Sequence, residues 1–330
     1  MKRLLLVLLL TALAVSAAGA FWWWSAVAPA GSRDVDVVFT VAPGTSLRRL
    51  GRDLEAAGLV RNAHAFEWLG RARSAASQLR AGEYLLRDSW SAEEILDRVV
   101  AGRVRTYEVV LPEGLTAAEI AIRVEEAGLA EADAFLSVVR DPAAPDRFGV
   151  EGPGLEGYLF PETYQLARGL AVEQVVATLV DHYLGVWSEI APAAKQRGLS
   201  MREVTILASI VERETGAVGE RPLIASVFHN RIALGMRLET DPTVIYGIPD
   251  FDGNLTRAHL DDATNPYNTY QISGLPPGPI ANPGAAALRA VVDPAEAKYL
   301  YFVSRNDGTH VFSRSYREHV NAVNHYQRRR

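Results

Sequence analysis

The feature that most constrains the fold is an apolar run at the N-terminus. Lys2 and Arg3 precede a predominantly apolar segment over residues 4–20, which continues through the tryptophans at 22–24 to about residue 30. A bilayer-spanning helix needs about 20 such residues, with cations at its cytoplasmic end and tryptophans near the headgroups. We therefore expect residues 1–30 to be a single transmembrane anchor in the cell (inner) membrane, with the rest facing the periplasm or exterior.

A cleaved signal peptide is the alternative for this segment. The sequence SAAGA at 16–20 would suit cleavage after Ala20. Signal peptides usually have an apolar region of only about 7–15 residues, so the length of the run and the tryptophans favour the anchor. Either way, we expect residues after about 31 to be exported.

Composition excludes several functional classes. The 330 residues suffice for two domains besides the anchor, and the net charge of −5 argues against a nucleic-acid partner, which needs a basic surface. Cysteine is absent, which excludes disulfides and thiolate catalysis. The seven histidines have no spacing typical of zinc ligands. We expect neither metal nor cofactor.

The fold class predicted from patterning is α+β, with two regions after the anchor. The first region is predicted to contain a strand near 35–41, helices after Ser46 and from Ala63, a strand at 83–86 and a capped helix after Ser91. This order of elements resembles a LysM-like module, which binds peptidoglycan. We assign this module to residues 36–105; a small α+β spacer is the alternative. We expect residues 106–330 to form the larger α+β domain, with a break at 141–157, helices near 171–197, 201–215 and 219–235, and a turn-rich segment beyond 236. A hairpin (299–312) and a helix (315–327) close it.

The helix at 201–215 carries the strongest chemical signal. Apolar residues recur at the spacing of a core-facing helix: Val204, Leu207, Ala208 and Val211. Glu214 continues this stripe, whereas Glu212 and Arg213 turn towards its margin or away from it. Burial and a position in the last helical turn both raise the pKa of a carboxyl, as a general acid requires. A structural ion pair of Glu214 with a nearby arginine (Arg213, Arg221 or Arg231) is the alternative left open.

Several motifs in order resemble the YceG-like endolytic murein transglycosylases. They begin with YLFPETY (158–164) and ILASIVERET (206–215), and continue with TDPTVIYG (240–247), YNTY (267–270), GLPPG (274–278) and IANPG (280–284). The resemblance covers nearly the whole chain and implies that Glu214, the second glutamate of the Glu-x-Glu-Thr segment, is the catalytic residue. It also implies cleavage of the MurNAc–GlcNAc bond of nascent glycan strands with formation of 1,6-anhydro-MurNAc ends. Termination of strand elongation and peptidoglycan synthases as partners are further implications of the resemblance.

Polar and aromatic residues after the catalytic helix are candidates for holding the glycan. Four lie in one loop, where rings can stack on sugars and amides can bond N-acetyl groups: Tyr267, Asn268, Tyr270 and Gln271. Asn230 and Arg231 end the next helix and are expected to face the same cleft. Asp241, before a proline, is a candidate second carboxylate, with an Asx-turn as the alternative. Glu162 is expected to line the groove or to serve the fold.

Two other functions remain open at this stage. A hydrolysing muramidase would use Asp241 or Glu162 to activate water, and its products would have reducing ends. A non-catalytic peptidoglycan-binding scaffold of the cell-wall machinery would require Glu214 to be merely structural.

Overall fold

The computed structural model describes residues 2–328, which form helices and short two-stranded sheets. The chain begins with α1 (Lys2–Val27), whose segment Arg3–Val27 has a mean hydropathy of 2.5 and is long and apolar enough to cross a membrane. The side chains of residues 3–24 are exposed, and within residues 3–27 only Ala26 is buried. The predicted apolar helix is present, while length and composition alone fit an anchor or a signal sequence equally.

The chain divides into two compact units. The first runs to Tyr107 and includes Leu166–Gly169, and the second consists of Glu108–Gln165 and Leu170–Arg330. The division falls within β3 (Thr106–Val110) and β4 (Thr163–Ala167), which form a two-stranded sheet.

The first unit has the predicted order of elements. After α1 come β1 (Val37–Val41), α2 (Leu47–Ala56), α3 (Ala63–Ala72), a 3₁₀ turn (Ala75–Ser77), β2 (Gly82–Leu86) and α4 (Ala92–Ala101). β1 and β2 pair antiparallel, with Val37 opposite Leu86. The predicted capping box at Ser91 and Glu94 is present at the start of α4. The LysM-like identity of this unit stays a prediction.

The second unit is built mainly of helices. Its elements after β3 are α5 (Ala117–Glu126), α6 (Ala132–Val139), α7 (Ala144–Phe148), β4, α8 (Val172–Gln196), α9 (Met201–Glu214), α10 (Arg221–Ala233), α11 (Asp241–Tyr246), α12 (Arg257–Asp261), α13 (Ala285–Val292), β5 (Tyr301–Ser304), β6 (His310–Ser313) and α14 (Tyr316–Tyr326). A 3₁₀ turn, Val218–Glu220, precedes α10, so the helix predicted at 219–235 starts later than expected. The break at 141–157 contains α7, and the turn-rich segment beyond 236 contains three short helices.

Helix α9 lies at the centre of the second unit. It packs against α8, α10, α11 and α13. Its predicted apolar stripe is buried, with Val204 and Val211 fully inaccessible. Ser200 and Glu203 form a capping box at its start, and Thr215 leaves helical geometry at its end with φ −147° and ψ 135°. The packed helix therefore holds its last residue, Glu214, in a fixed place.

Candidate active site

Glu214 lines a cavity of about 420 Å³ in the second unit. Asp241 at the start of α11 and Tyr270 in the following loop line the same cavity, as does Arg231 from α10. The opposite wall comes from the C-terminal hairpin and α14 and includes Tyr301, His310, Tyr316 and His319. The structure thus brings together four of the predicted site residues and adds an aromatic wall that the sequence did not indicate.

The Glu214 carboxyl is partly buried, and one neighbouring hydroxyl is directed at it. Thr240 Oγ1 donates a hydrogen bond to Glu214 Oε1. Burial raises the pKa of Glu214 to about 7, and the charge of Asp241 adds to this effect. The Thr240 hydrogen bond and the charges of His310 and Arg231 act in the opposite direction on this pKa. A carboxyl with this pKa is available in both protonation states near neutral pH.

A group of buried threonines fixes the Thr240 hydroxyl. The Thr240 amide donates to Thr269 Oγ1 at 3.0 Å, and Thr243 Oγ1 donates to the Thr240 carbonyl at 2.8 Å. The Thr243 and Thr269 hydroxyls are 2.8 Å apart. All three residues are almost inaccessible. Because each neighbour is hydrogen-bonded, the orientation of Thr240 towards Glu214 is set by the fold.

Asp241 and Arg231 supply fixed charges of opposite sign. Asp241 Oδ1 accepts a hydrogen bond from the Tyr270 hydroxyl at 2.7 Å, and Asp241 is the first residue of α11. Arg231 is buried, and its guanidinium donates to the carbonyls of Leu300 at 2.7 Å and Leu238 at 2.9 Å. Both charges are therefore held in place beside the Glu214 carboxyl.

His310 and Glu220 form a pair at the cavity that the sequence did not indicate. His310 Nδ1 lies 2.7 Å from Glu220 Oε2, and the His310 amide donates to Glu220 Oε1 at 2.9 Å. Both side chains are mostly buried. The sequence predicts only the hairpin at 299–312, which contains His310. The pairing itself joins residues 90 positions apart.

The aromatic wall is formed by stacked rings of the hairpin and α14. The rings of Tyr301 and His319 are stacked with centroids 5.2 Å apart, and the Arg231 guanidinium lies 5.0 Å from the Tyr301 ring centre. Tyr316 lies at 6.0 Å from Tyr301. Such a wall suits sugar rings, which pack their apolar C–H faces on aromatic side chains. His319 Nδ1 is buried and has no hydrogen-bond partner in the described part of the chain.

The position of Glu212 differs from the expectation that it turns towards the margin of the apolar stripe or away from it. Its side chain is only 5% exposed, so it does not turn away from the core. It accepts a hydrogen bond from Arg221 Nη2 at 2.5 Å and one from the Gly284 amide at 3.1 Å. Arg221, one of the arginines considered as a partner for Glu214, therefore pairs with Glu212. The reason is that α10 and the segment before α13 pack on this side of α9, which the pattern of α9 alone does not reveal.

The other predicted binding residues are placed away from the Glu214 cavity. Asn230 Nδ2 donates to the carbonyls of Ala297 and Tyr299, and the amides of Asn268 and Gln271 donate to carbonyls of the 259–262 segment. These three side chains hold loops in place. Tyr267 lines a different cavity. Glu162 is exposed, accepts a hydrogen bond from the neighbouring Thr163 amide and does not line the Glu214 cavity.

Within residues 2–328 there is no group of three or more His, Cys, Asp or Glu side chains placed to hold a metal ion.

A carboxyl poised near neutral pH in an aromatic-walled cavity defines an acid–base site suited to a carbohydrate. Residues 39–325 match the model of the YceG-like family, and the chain belongs to this family.

Three relatives illustrate the similarity. An endolytic murein transglycosylase of Bacillus subtilis (strain 168) is 26% identical over 306 residues, covering 88% of this chain and 84% of that protein. One of Streptococcus pneumoniae (strain D39) is 28% identical over 298 residues, covering 81% of this chain and 54% of that protein, so the match spans about half of the relative's length. A crystal structure of a YceG-like protein of Listeria monocytogenes superposes with a TM-score of 0.60 at 29% identity, covering 87% of this chain and 98% of that one.

Proposed function

We propose that this protein is an endolytic lytic transglycosylase that cleaves the β-1,4 bond between MurNAc and GlcNAc in peptidoglycan and leaves 1,6-anhydro-MurNAc ends. The observation that carries the proposal is the partly buried Glu214 carboxyl, whose pKa is raised to about 7 in an aromatic-walled cavity. The names of the relatives from Bacillus and Streptococcus support the same reaction.

Glu214 acts first as a general acid. At neutral pH a carboxyl with a pKa of about 7 is protonated in about half of the molecules. It transfers its proton to the bridging oxygen while the bond from MurNAc C1 to that oxygen breaks. The bonding electron pair leaves with the GlcNAc oxygen, and positive charge develops at C1 of MurNAc.

Glu214 then acts as a general base. Its carboxylate takes the proton from the 6-hydroxyl of the same MurNAc while O6 forms a bond to C1. The enzyme regains its proton, water is not consumed, and the 1,6-anhydro ring closes. Because the nucleophile belongs to the substrate, its effective concentration is high, which makes a second protein nucleophile unnecessary.

The groups around Glu214 suit these two steps. The Thr240 hydroxyl and the charges of His310 and Arg231 stabilise the carboxylate that exists between the proton transfers. The Asp241 carboxylate raises the pKa of Glu214 and favours the protonated starting form. Its negative charge in the same cavity also stabilises the positive charge that develops at C1. Tyr301 and its neighbours would hold the sugar rings.

Hydrolysis by water is the second candidate, because Asp241 lines the same cavity as Glu214. In that case Asp241 would activate a water molecule, and the new ends would be reducing MurNAc. Glu162 is exposed and does not line this cavity, so it is a weaker candidate for this role.

The remaining parts of the chain fit a membrane-bound cell-wall enzyme. We assign residues 1–30 to a single-pass anchor that keeps the catalytic unit outside the cytoplasm, and residues 36–105 to a LysM-like module that binds glycan strands. Peptidoglycan synthases are the proposed partners. Membrane fractions should contain the chain starting at Met1; a soluble mature form starting at Phe21 would contradict the anchor.

The reaction is tested by digesting purified glycan strands with the full-length protein and measuring the masses of the products by mass spectrometry. Anhydro ends are lighter than reducing ends by one water molecule. We expect anhydro ends from the wild type, whereas reducing ends at a comparable rate would identify the hydrolysing alternative.

A further inference from the structure

A second and larger cavity, of about 720 Å³, lies beside the Glu214 cavity in the same unit. Glu214 and Asp241 line the smaller cavity, whereas their direct chain neighbours Arg213 and Pro242 line the larger one. The end of α9 and the start of α11 therefore form a wall between the two cavities. The larger cavity is therefore the neighbouring space that a substituent of a sugar bound at Glu214 would enter beyond this wall.

One side of the larger cavity is rigidly built around Glu156. Its carboxyl oxygens accept hydrogen bonds from the Ala117 amide at 3.0 Å, Asn282 Nδ2 at 2.8 Å and the Tyr246 hydroxyl at 3.2 Å. The Tyr246 ring meets the Tyr267 ring edge to face at 4.8 Å. Three other segments of the chain thus donate to one carboxyl group, which gives the cavity a fixed shape.

Three other polar side chains that line this cavity are free to bind a ligand. Arg140 and Asp250 are exposed and form no side-chain hydrogen bond or ion pair among residues 2–328, and the Tyr267 hydroxyl also has no hydrogen-bond partner there. Arg213 donates one hydrogen bond, to the Gly114 carbonyl at 3.1 Å, and is otherwise exposed. The cavity therefore offers unpaired groups of both charge signs and a free phenol above an aromatic pair.

We propose that the larger cavity binds the peptide stem carried by the MurNAc residue whose glycosidic bond lies at Glu214, an inference that rests on the proposed function. The stem carries carboxylates, amides and a free amine, whereas the glycan backbone is largely neutral. Arg140 and Arg213 match the carboxylates, Asp250 matches the amine, and Tyr267 can bond an amide. An extended stem of five residues spans up to about 18 Å, a length that can reach from one cavity into its neighbour.

The test compares glycan strands that carry stems with strands from which an amidase has removed them, using the full-length protein. The wild type should have the lower KM on strands with stems. Arg140→Ala removes a charge-assisted contact and should raise KM on these strands about tenfold, with kcat unchanged. On stripped strands the variant should match the wild type. Arg123→Ala, an exposed arginine of α5 outside both cavities, is the matched control.

The possible results separate this inference from the proposed function. If the wild type cuts both kinds of strand with the same KM, or if Arg140→Ala loses activity equally on both, the peptide-binding role is wrong while the transglycosylase stands. Tyr267→Phe removes only a hydroxyl and provides a second variant should Arg140→Ala fold poorly; its KM should rise on stem-bearing strands alone. If the wild type cuts neither substrate, the proposed function itself fails.

Discussion

The hydrogen bond from Thr240 to Glu214 makes the pH dependence of the reaction predictable. Thr240→Val keeps the shape of the side chain and removes the hydroxyl that donates to Glu214 Oε1. This hydrogen bond favours the ionised carboxyl and lowers its pKa, so its loss should raise the pKa of Glu214. A general acid must be protonated, so activity is present below its pKa and is lost above it. The alkaline limb of the rate profile should therefore move to higher pH.

The size of this shift follows from the strength of the bond. A hydrogen bond to a charged group contributes about 1.5–3 kcal/mol, and one pKa unit corresponds to about 1.4 kcal/mol. The protonated carboxyl keeps part of this interaction, so the lower end of the range applies. From a starting pKa of about 7, the alkaline limb of Thr240→Val should lie about one unit higher.

The assay is kcat/KM for cleavage of purified glycan strands from pH 5 to 10, with melting temperatures to verify folding. Thr240→Ser retains a hydroxyl and should retain the wild-type profile. Asp241→Asn removes a charge that raises the pKa of Glu214, so its alkaline limb should move to lower pH. If the alkaline limb of folded Thr240→Val stays at the wild-type pH or moves to lower pH, the assignment of Glu214 as the general acid is refuted.

Three further predictions concern stability and organisation. Glu212→Gln should lower the melting temperature, because it removes the negative charge that pairs with the buried Arg221. Breaking a buried ion pair costs about 3–5 kcal/mol, so an unchanged melting temperature would contradict the pairing of Glu212 with Arg221. Burial raises the pKa of Glu156 from its ordinary 4.5 to about 7, so the folded state binds the extra proton and the free energy of unfolding should fall as pH rises from about 4.5 to 7; Glu156→Gln should reduce this pH dependence in urea titrations at several pH values. Deleting residues 36–105 should weaken binding to purified sacculi and leave the catalytic unit folded, and a remainder that does not fold would refute the boundary.

The local sequence pattern predicts much of the structure of helix α9. Its capped start and buried stripe follow from residue spacing within one element, and Glu214 was singled out by its place on that stripe. The same reasoning misjudged Glu212. Its burial depends on Arg221 and on the Gly284 amide, which belong to other parts of the fold. A helical pattern reveals which face is apolar, but not which charged neighbour covers the adjoining face.

The contacts that tune Glu214 join distant parts of the chain and left no local signal. Thr240 is 26 residues from Glu214, and Glu220 is 90 residues from His310. For Asn268, the sequence indicates a binding role, whereas the structure shows contacts within the protein. Its position in a loop suggests that its amide binds N-acetyl groups. Irregular loops also have backbone carbonyls that need donors, and the Asn268 amide donates to three of them.

The most direct test of the central claim is the mass of the glycan ends formed by the wild type and by Glu214→Gln. The substitution keeps the size of the side chain and removes the transferable proton. Glu296→Gln, at an exposed glutamate outside the cavity, is the matched control. We expect anhydro ends from the wild type and the control, and cleavage reduced by about 10⁴-fold in Glu214→Gln at an unchanged melting temperature. Anhydro ends formed by Glu214→Gln at near wild-type rates would contradict the account.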